Sequence, residues 1–217
     1  MLTVDLGQAS QFYNATPGSS FTLPGLTLAD LTSLYGANWF SSTSSLLNWG
    51  VVGAAGTATS DGHARTATVW STIASGNGTR PATNKLALNS AITYIQTFQS
   101  HINGVTSTSN SSTAYADSSS NTGNYYSEDT FTAGVSFNYF NPLVDNNNTN
   151  AVSNVEYSDL WEQQPGAGQT GKGTATLLGT FALDSNGVLT FTAAPEPSTV
   201  TLAIGAGLTM LARRRVA

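Results

Sequence analysis

The sequence predicts a mostly β protein. It reads as an antiparallel, sandwich-like domain over residues 1–193 with one main packed helix, then a single short transmembrane helix over residues 198–212. Three observations carry this reading. Charged residues make up only 9% of the chain, against about 25% in an ordinary soluble domain. Thr, Ser, Asn and Gly take their place, and these residues favour turns and strands over helix interiors. Short alternating runs rich in Val, Thr, Phe and Trp recur between turn residues, whereas one long stretch alone shows a three- and four-residue apolar period.

The elements follow in order. "LTVDL" at residues 2–6 alternates apolar and polar and reads as a strand. "TLADLTSLYG" reads as a short helix, with Thr27 placed to cap it, Asp30 three positions on and Gly36 to end it. "LLNWGVVGAA" (46–55) and "HARTATVWSTI" (63–73) read as strands. In residues 84–103, Leu88, Ile92, Ile95, Phe98 and Ile102 form one apolar helix face, and Asn103-Gly104 supplies a stop. "FTAGVSFNYF" (131–140) alternates as a strand. "TATLLGTFALDSNGVLTFTA" (174–193) is a hairpin, its two β-branched and aromatic runs flanking Ser-Asn-Gly. "STSNSSTAYADSSSNTGN" and "DNNNTN" are low-complexity loops.

Composition excludes some chemistry. There are no cysteines, hence no thiol nucleophile, no zinc–thiolate site and no disulfide. Residues 1–194 carry Arg65, Arg80, Lys85 and Lys172 against eleven acids, a net of −7. That body has no basic patch, so nucleic acid is not an expected partner, because counterion release needs clustered Lys and Arg. The two histidines, His63 and His101, fall in a turn-like stretch and at a helix end. No Gly-x-Ser-x-Gly elbow singles out a nucleophilic serine.

Acidic residues offer two constellations. Glu128, Asp129, Glu156, Asp159 and Glu162 could supply the carboxylate pair of a glycoside hydrolase, yet spacing selects no pair, and solvated acids on an acidic surface is the plainer reading. In "DNNNTNAVSNVE", Asp145, Asn147, Thr149 and Glu156 fall at the first, third, fifth and twelfth positions of a calcium loop. An EF-hand needs flanking helices, and "VSFNYFNPLV" upstream reads as strand, so an Asn-rich surface loop is preferred. No metal or other cofactor is expected. Sequons begin at Asn14, Asn77, Asn110 and Asn147. Trp39, Trp49, Trp70 and Trp161 could stack on sugars, but their strand-like surroundings favour core packing.

The end of the chain is organised differently. Pro195-Glu196-Pro197 precedes an uncharged run from Ser198 to Ala212, followed at once by Arg213, Arg214 and Arg215. Fifteen residues of helix span about 22 Å, short of a roughly 30 Å hydrocarbon core. Arginine stems can snorkel outward and recover some length. An arginine at mid-bilayer costs about 2.5–3.5 kcal/mol, so three in a row stop transfer, and clustered arginines stay cytoplasmic. By that rule Pro195-Glu196-Pro197 and everything before it face outside.

Taken in order, these three parts resemble the C-terminal sorting signal of PEP-CTERM proteins, over about residues 194–217. The resemblance implies export, transient anchoring in the inner membrane, cleavage near Pro-Glu-Pro by the membrane protease exosortase, and delivery to the cell surface or medium. Such systems accompany exopolysaccharide and biofilm production in Gram-negative bacteria. Pro195, Glu196 and Pro197 would be read by the sorting enzyme, and Arg213, Arg214 and Arg215 would set the topology. "VDLGQAS", "GANWF", "WGVVG" and "LLGTFALDSNGVLTFTA" also resemble the bodies of some secreted PEP-CTERM proteins, which generally have no assigned activity. The family pattern includes an N-terminal signal peptide. "MLTVDLGQASQFY" does not read as one, so the reading frame is expected to begin upstream of Met1; a true start there would instead suit a cytoplasmic protein.

The leading expectation is thus a non-enzymatic extracellular or surface matrix protein. A secreted carbohydrate-binding module, calcium-assisted through the Asp145 loop, is the alternative, with extracellular polysaccharide as partner. A secreted glycoside hydrolase comes third.

Overall fold

The computed structural model describes residues 2–40, 48–56, 66–75, 82–104, 114–116, 145–146 and 155–195. In chain order the elements are β1 (Leu2–Val4), α1 (Ser10–Tyr13), β2 (Ser20–Leu23), α2 (Leu28–Tyr35), β3 (Asn48–Trp49), β4 (Val52–Ala55) and β5 (Thr68–Ala74). Then come α3 (Lys85–Gly104), β6 (Ala114–Ala116), β7 (Asp145–Asn146), β8 (Val155–Gln164), β9 (Thr174–Asp184) and β10 (Leu189–Ala193). The protein is mostly β and antiparallel, as its composition predicts. Its centre is one six-stranded sheet in the order β2-β10-β9-β8-β5-β4. Two short ladders, β1–β6 and β3–β7, stand apart from it. Among the described residues, helices and loops cover the sheet where a sandwich would place a second sheet of similar size.

The hairpin β9–β10 forms where the sequence places it. Asp184 N–H donates to the Val188 carbonyl at 3.1 Å, closing a three-residue loop. Gly187 sits at φ 75°, the left-handed position that such loops require. The Asp184 carboxylate also accepts from the backbone N–H of Asn186 (2.9 Å) and Val188 (2.8 Å). This local bonding fixes the register, pairing Leu189 with Leu183 and Phe191 with Phe181.

Register then sorts the side chains onto two faces. On one face, Phe181, Phe191, Leu183, Leu189, Leu23, Leu160 and Trp70 are buried. Phe12 from α1 enters this layer edge-on, with ring centroids 5.3 Å from Phe181 and 5.0 Å from Phe191. Leu31 of α2 and Trp39 complete the cluster. The helix α2 begins as read from sequence. Thr27 Oγ1 accepts from Asp30 N–H at 3.2 Å and donates to Asp30 Oδ2 at 2.6 Å. It ends at Gly36, whose φ is 84°.

On the opposite face, α3 lies over β4 and β5. Leu88, Ala91, Ile92 and Ile95 pack against Ala67, Val69, Val52 and Ala54. The helix face is the one that its periodicity marks out; the side chains of Phe98 and Ile102 lie outside the described residues. Asn84 caps the helix, its Oδ1 accepting from Ala87 N–H at 2.9 Å. A buried network holds this end down. Gln163 donates to Thr83 Oγ1 at 3.1 Å and accepts from Ser71 Oγ at 3.4 Å.

Two readings need correction. "LLNWGVVGAA" is two strands, β3 and β4, with Gly50 and Val51 outside both. Residues 155–164, polar in sequence, form a ten-residue central strand, β8. Glu156 and Glu162 on it are buried at 4% and 5% exposure, so they are core residues of the sheet and not solvated acids. "FTAGVSFNYF" lies outside the described residues.

Candidate functional site

The segment read from sequence as a sorting signal follows the end of β10. Ala193 N–H donates to the Ser19 carbonyl at 2.9 Å, and Ala194 N–H to the Leu178 carbonyl at 2.8 Å. Pro195 follows immediately and is exposed. It has no N–H with which to extend a ladder. Glu196, Pro197, the run 198–212 and Arg213, Arg214 and Arg215 lie outside the described residues. Among the described residues, no helix is long and apolar enough to cross a membrane.

The carboxylates separate. Glu156 and Glu162 share a face of β8 but stand six residues apart, about 20 Å at ~3.3 Å per residue. Glycoside hydrolysis needs carboxyl groups about 5–9.5 Å apart. Asp159 has odd parity and points to the other face, where Thr180 Oγ1 donates to its Oδ1 at 2.7 Å. Glu128 and Asp129 lie outside the described residues, as does His63. His101 falls in the last turn of α3.

The calcium-loop residues are placed in part. Asp145 begins β7 and pairs with Trp49, and Glu156 is buried in β8. Asn147 and Thr149 lie outside the described residues. Among the described residues, no three His, Cys, Asp or Glu side chains gather as metal ligands. Asn14 is exposed where α1 ends, and the other three sequons begin outside the described residues.

The tryptophans pack inward, as their surroundings predict. Trp39, Trp70 and Trp161 are buried. The indole N–H groups of Trp49, Trp70 and Trp161 find no hydrogen-bond partner. These rings are part of the core and do not form a sugar-stacking platform.

A different polar surface emerges from the register. On the α3 side of the sheet, α3 covers β4 and β5, while the strands beyond β8 carry short hydroxyl side chains. One row across four strands reads Asp159, Thr180, Thr192, Ser20. The next reads Tyr157, Ala182, Thr190, Thr22. Neighbours in a row are about 4.8 Å apart, and the rows are about 6.7 Å apart. Ser20, Thr22 and Thr192 are exposed, and Tyr157, Asp159, Thr180 and Thr190 are half-buried. Ser20 Oγ and Thr192 Oγ1 lie 2.9 Å apart and share a hydrogen bond. The hydroxyls of Thr22 and Thr190 make no hydrogen bond among the described residues.

No family model, curated protein or solved structure matches the chain. The functional reading therefore rests on the residues themselves.

Proposed function

We propose that the chain is an exported protein of the bacterial cell surface or extracellular matrix, carrying a C-terminal sorting signal of the PEP-CTERM kind, and that its folded body acts by binding rather than catalysis. The observation that carries this is the order Pro195-Glu196-Pro197, uncharged run 198–212, Arg213-Arg214-Arg215 at one end of a chain that is otherwise poor in base. An apolar helix with a charged end would account for the run and the arginines. It would not account for Pro-Glu-Pro in front of them.

The fold supports the reading in two ways. Among the described residues, the last backbone bond of the sheet falls at Ala194, and Pro195, the first residue of the proposed motif, is exposed just after it. The carboxylates of β8 stand too far apart, or on opposite faces, to act as a hydrolytic pair. Exosortase is the proposed processing partner, with the inner membrane as a temporary anchor.

Mass spectrometry of the mature C-terminus in the native host tests this. The expected extracellular protein ends near Pro195–Pro197. Recovery of extracellular protein that still ends in Arg-Arg-Arg-Val-Ala would refute the sorting function.

A further inference from the structure

We propose that the hydroxyl rows on β8, β9, β10 and β2 form the binding surface of this protein and that their ligand is a neutral polysaccharide. This rests on the export reading, because a matrix polysaccharide meets this face only outside the cell.

The chemistry of the face selects the ligand. Its polar groups are one carboxylate, one phenol and five aliphatic hydroxyls, from Ser20, Thr22, Thr180, Thr190 and Thr192. Thr180 spends its proton on Asp159 and so presents lone pairs outward. Thr22 and Thr190 keep both donor and acceptor capacity. A polymer of hydroxylated rings needs this mixture of donors and acceptors. Positions within a row repeat at about 4.8 Å across the strands, a spacing comparable to a sugar ring, and four strands make a track about 14 Å wide. β-Branched threonine has a stiff side chain, so ordering these hydroxyls on binding costs little rotamer entropy. The Tyr157 ring at one end of a row adds apolar area with few torsions to freeze.

Charge excludes the competing polymers. The described cations, Lys85 and Lys172, lie at the start of α3 and in the β8–β9 loop, away from these rows. With a body net charge of −7, an acidic glycan or a nucleic acid is repelled. A protein partner would need apolar anchors at the centre of the contact. Among the described residues, the exposed large apolar side chains, Leu28, Leu34, Leu86, Leu177 and Val188, lie off both rows.

The test is affinity electrophoresis of the full chain through gels containing hydroxyethylcellulose, a soluble β-1,3-glucan, dextran or mannan, with alginate as the acidic comparison. At least one neutral polymer is expected to retard the protein, with little change in 1 M NaCl. The triple variant Thr22→Val, Thr190→Val, Thr192→Val should lose at least tenfold in affinity, whereas Thr176→Val, exposed on the other face, should not. Circular dichroism checks that the variants fold. The single Thr192→Arg, at an exposed site, should also weaken binding. Retardation by none of the neutral polymers, stronger retardation by alginate, or unchanged binding in both the triple variant and Thr192→Arg would overturn the proposal. Because the purified chain is used, failure here leaves the C-terminal mass measurement untouched, and the reverse also holds.

Discussion

At Gly179 the sheet packs tightly against its aromatic layer, and one added methyl group there should be costly. Gly179 pairs with Leu160 on β8 and Ala193 on β10, beside the bulge that sets Trp161 opposite Leu177. A Cβ at this position would lie 2.6 Å from Cζ and 2.9 Å from Cε2 of Phe191, and nearer still to the Thr192 carbonyl oxygen. Carbon atoms pack best at about 3.5–4.0 Å, so the overlap is about 1 Å. Neither neighbour can yield cheaply. Phe191 is fully buried, with ring centroids 5.0 Å from both Phe12 and Phe181. The Thr192 oxygen belongs to the backbone of a strand held on both sides. Overpacking of this kind costs about 1–3 kcal/mol, and the rigid backbone contact places Gly179→Ala near the top of that range. With a urea slope of about 2 kcal/mol per molar, the midpoint should fall by about 1.5 M. Gly53→Ala is the comparison. Its Cβ would meet Trp70 Cε3 at 3.7 Å, an ordinary contact. Reduced freedom of the unfolded chain should then make it neutral or about 0.4–1 kcal/mol stabilising. Urea unfolding followed by tryptophan fluorescence measures both. A Gly179→Ala midpoint within 0.25 M of the parent, or a Gly53→Ala loss as large as that of Gly179→Ala, would refute the packing argument.

Two further substitutions probe the attachments of the helices. Thr27→Ala removes the cap of α2 and should cost about 1 kcal/mol, read as a lower urea midpoint with unchanged slope. Gln163→Leu leaves the Ser71 and Thr83 hydroxyls without their buried partner. It should cost about 1–3 kcal/mol, and hydrogen exchange should speed up around Leu86 and Leu88, where α3 starts.

What could be read from sequence depended on how local the signal was. The cap at Thr27, the periodic face of α3 and the Asn186-Gly187 loop are each settled within a few residues, and each appears where read. β8 was illegible because Glu156, Ser158, Glu162 and Gln163 are buried polar groups. Hydrogen bonds such as Ser158 Oγ to the Ile73 carbonyl, at 3.2 Å, make that burial tolerable, and the partner lies 85 residues away. β2 is a four-residue strand with no flanking pattern of its own, and it is defined by pairing with β10. The hydroxyl face was hidden for the same reason. "SFTL" and "LTFTA" each show two small hydroxyl residues, unremarkable in a chain full of them. They become a surface once β2, β10 and β9 align. The proposed sorting tail is the opposite case, since its pattern is a linear order of residues that needs no fold to be seen.

Under the proposed export route, the position of β10 between β9 and β2 bears on how the chain is delivered. Ser20 meets Thr192 across 172 residues. A chain that emerges N-terminus first therefore keeps β2 waiting until almost the whole body has passed, and the seam closes last. Closing so long a loop is slow, which would hold the N-terminal segment open during the proposed threading. Once the seam is shut, a tail still held in the membrane would pull along β10, which is bonded on both edges. Tension there has to shear two ladders together and cannot peel them one bond at a time.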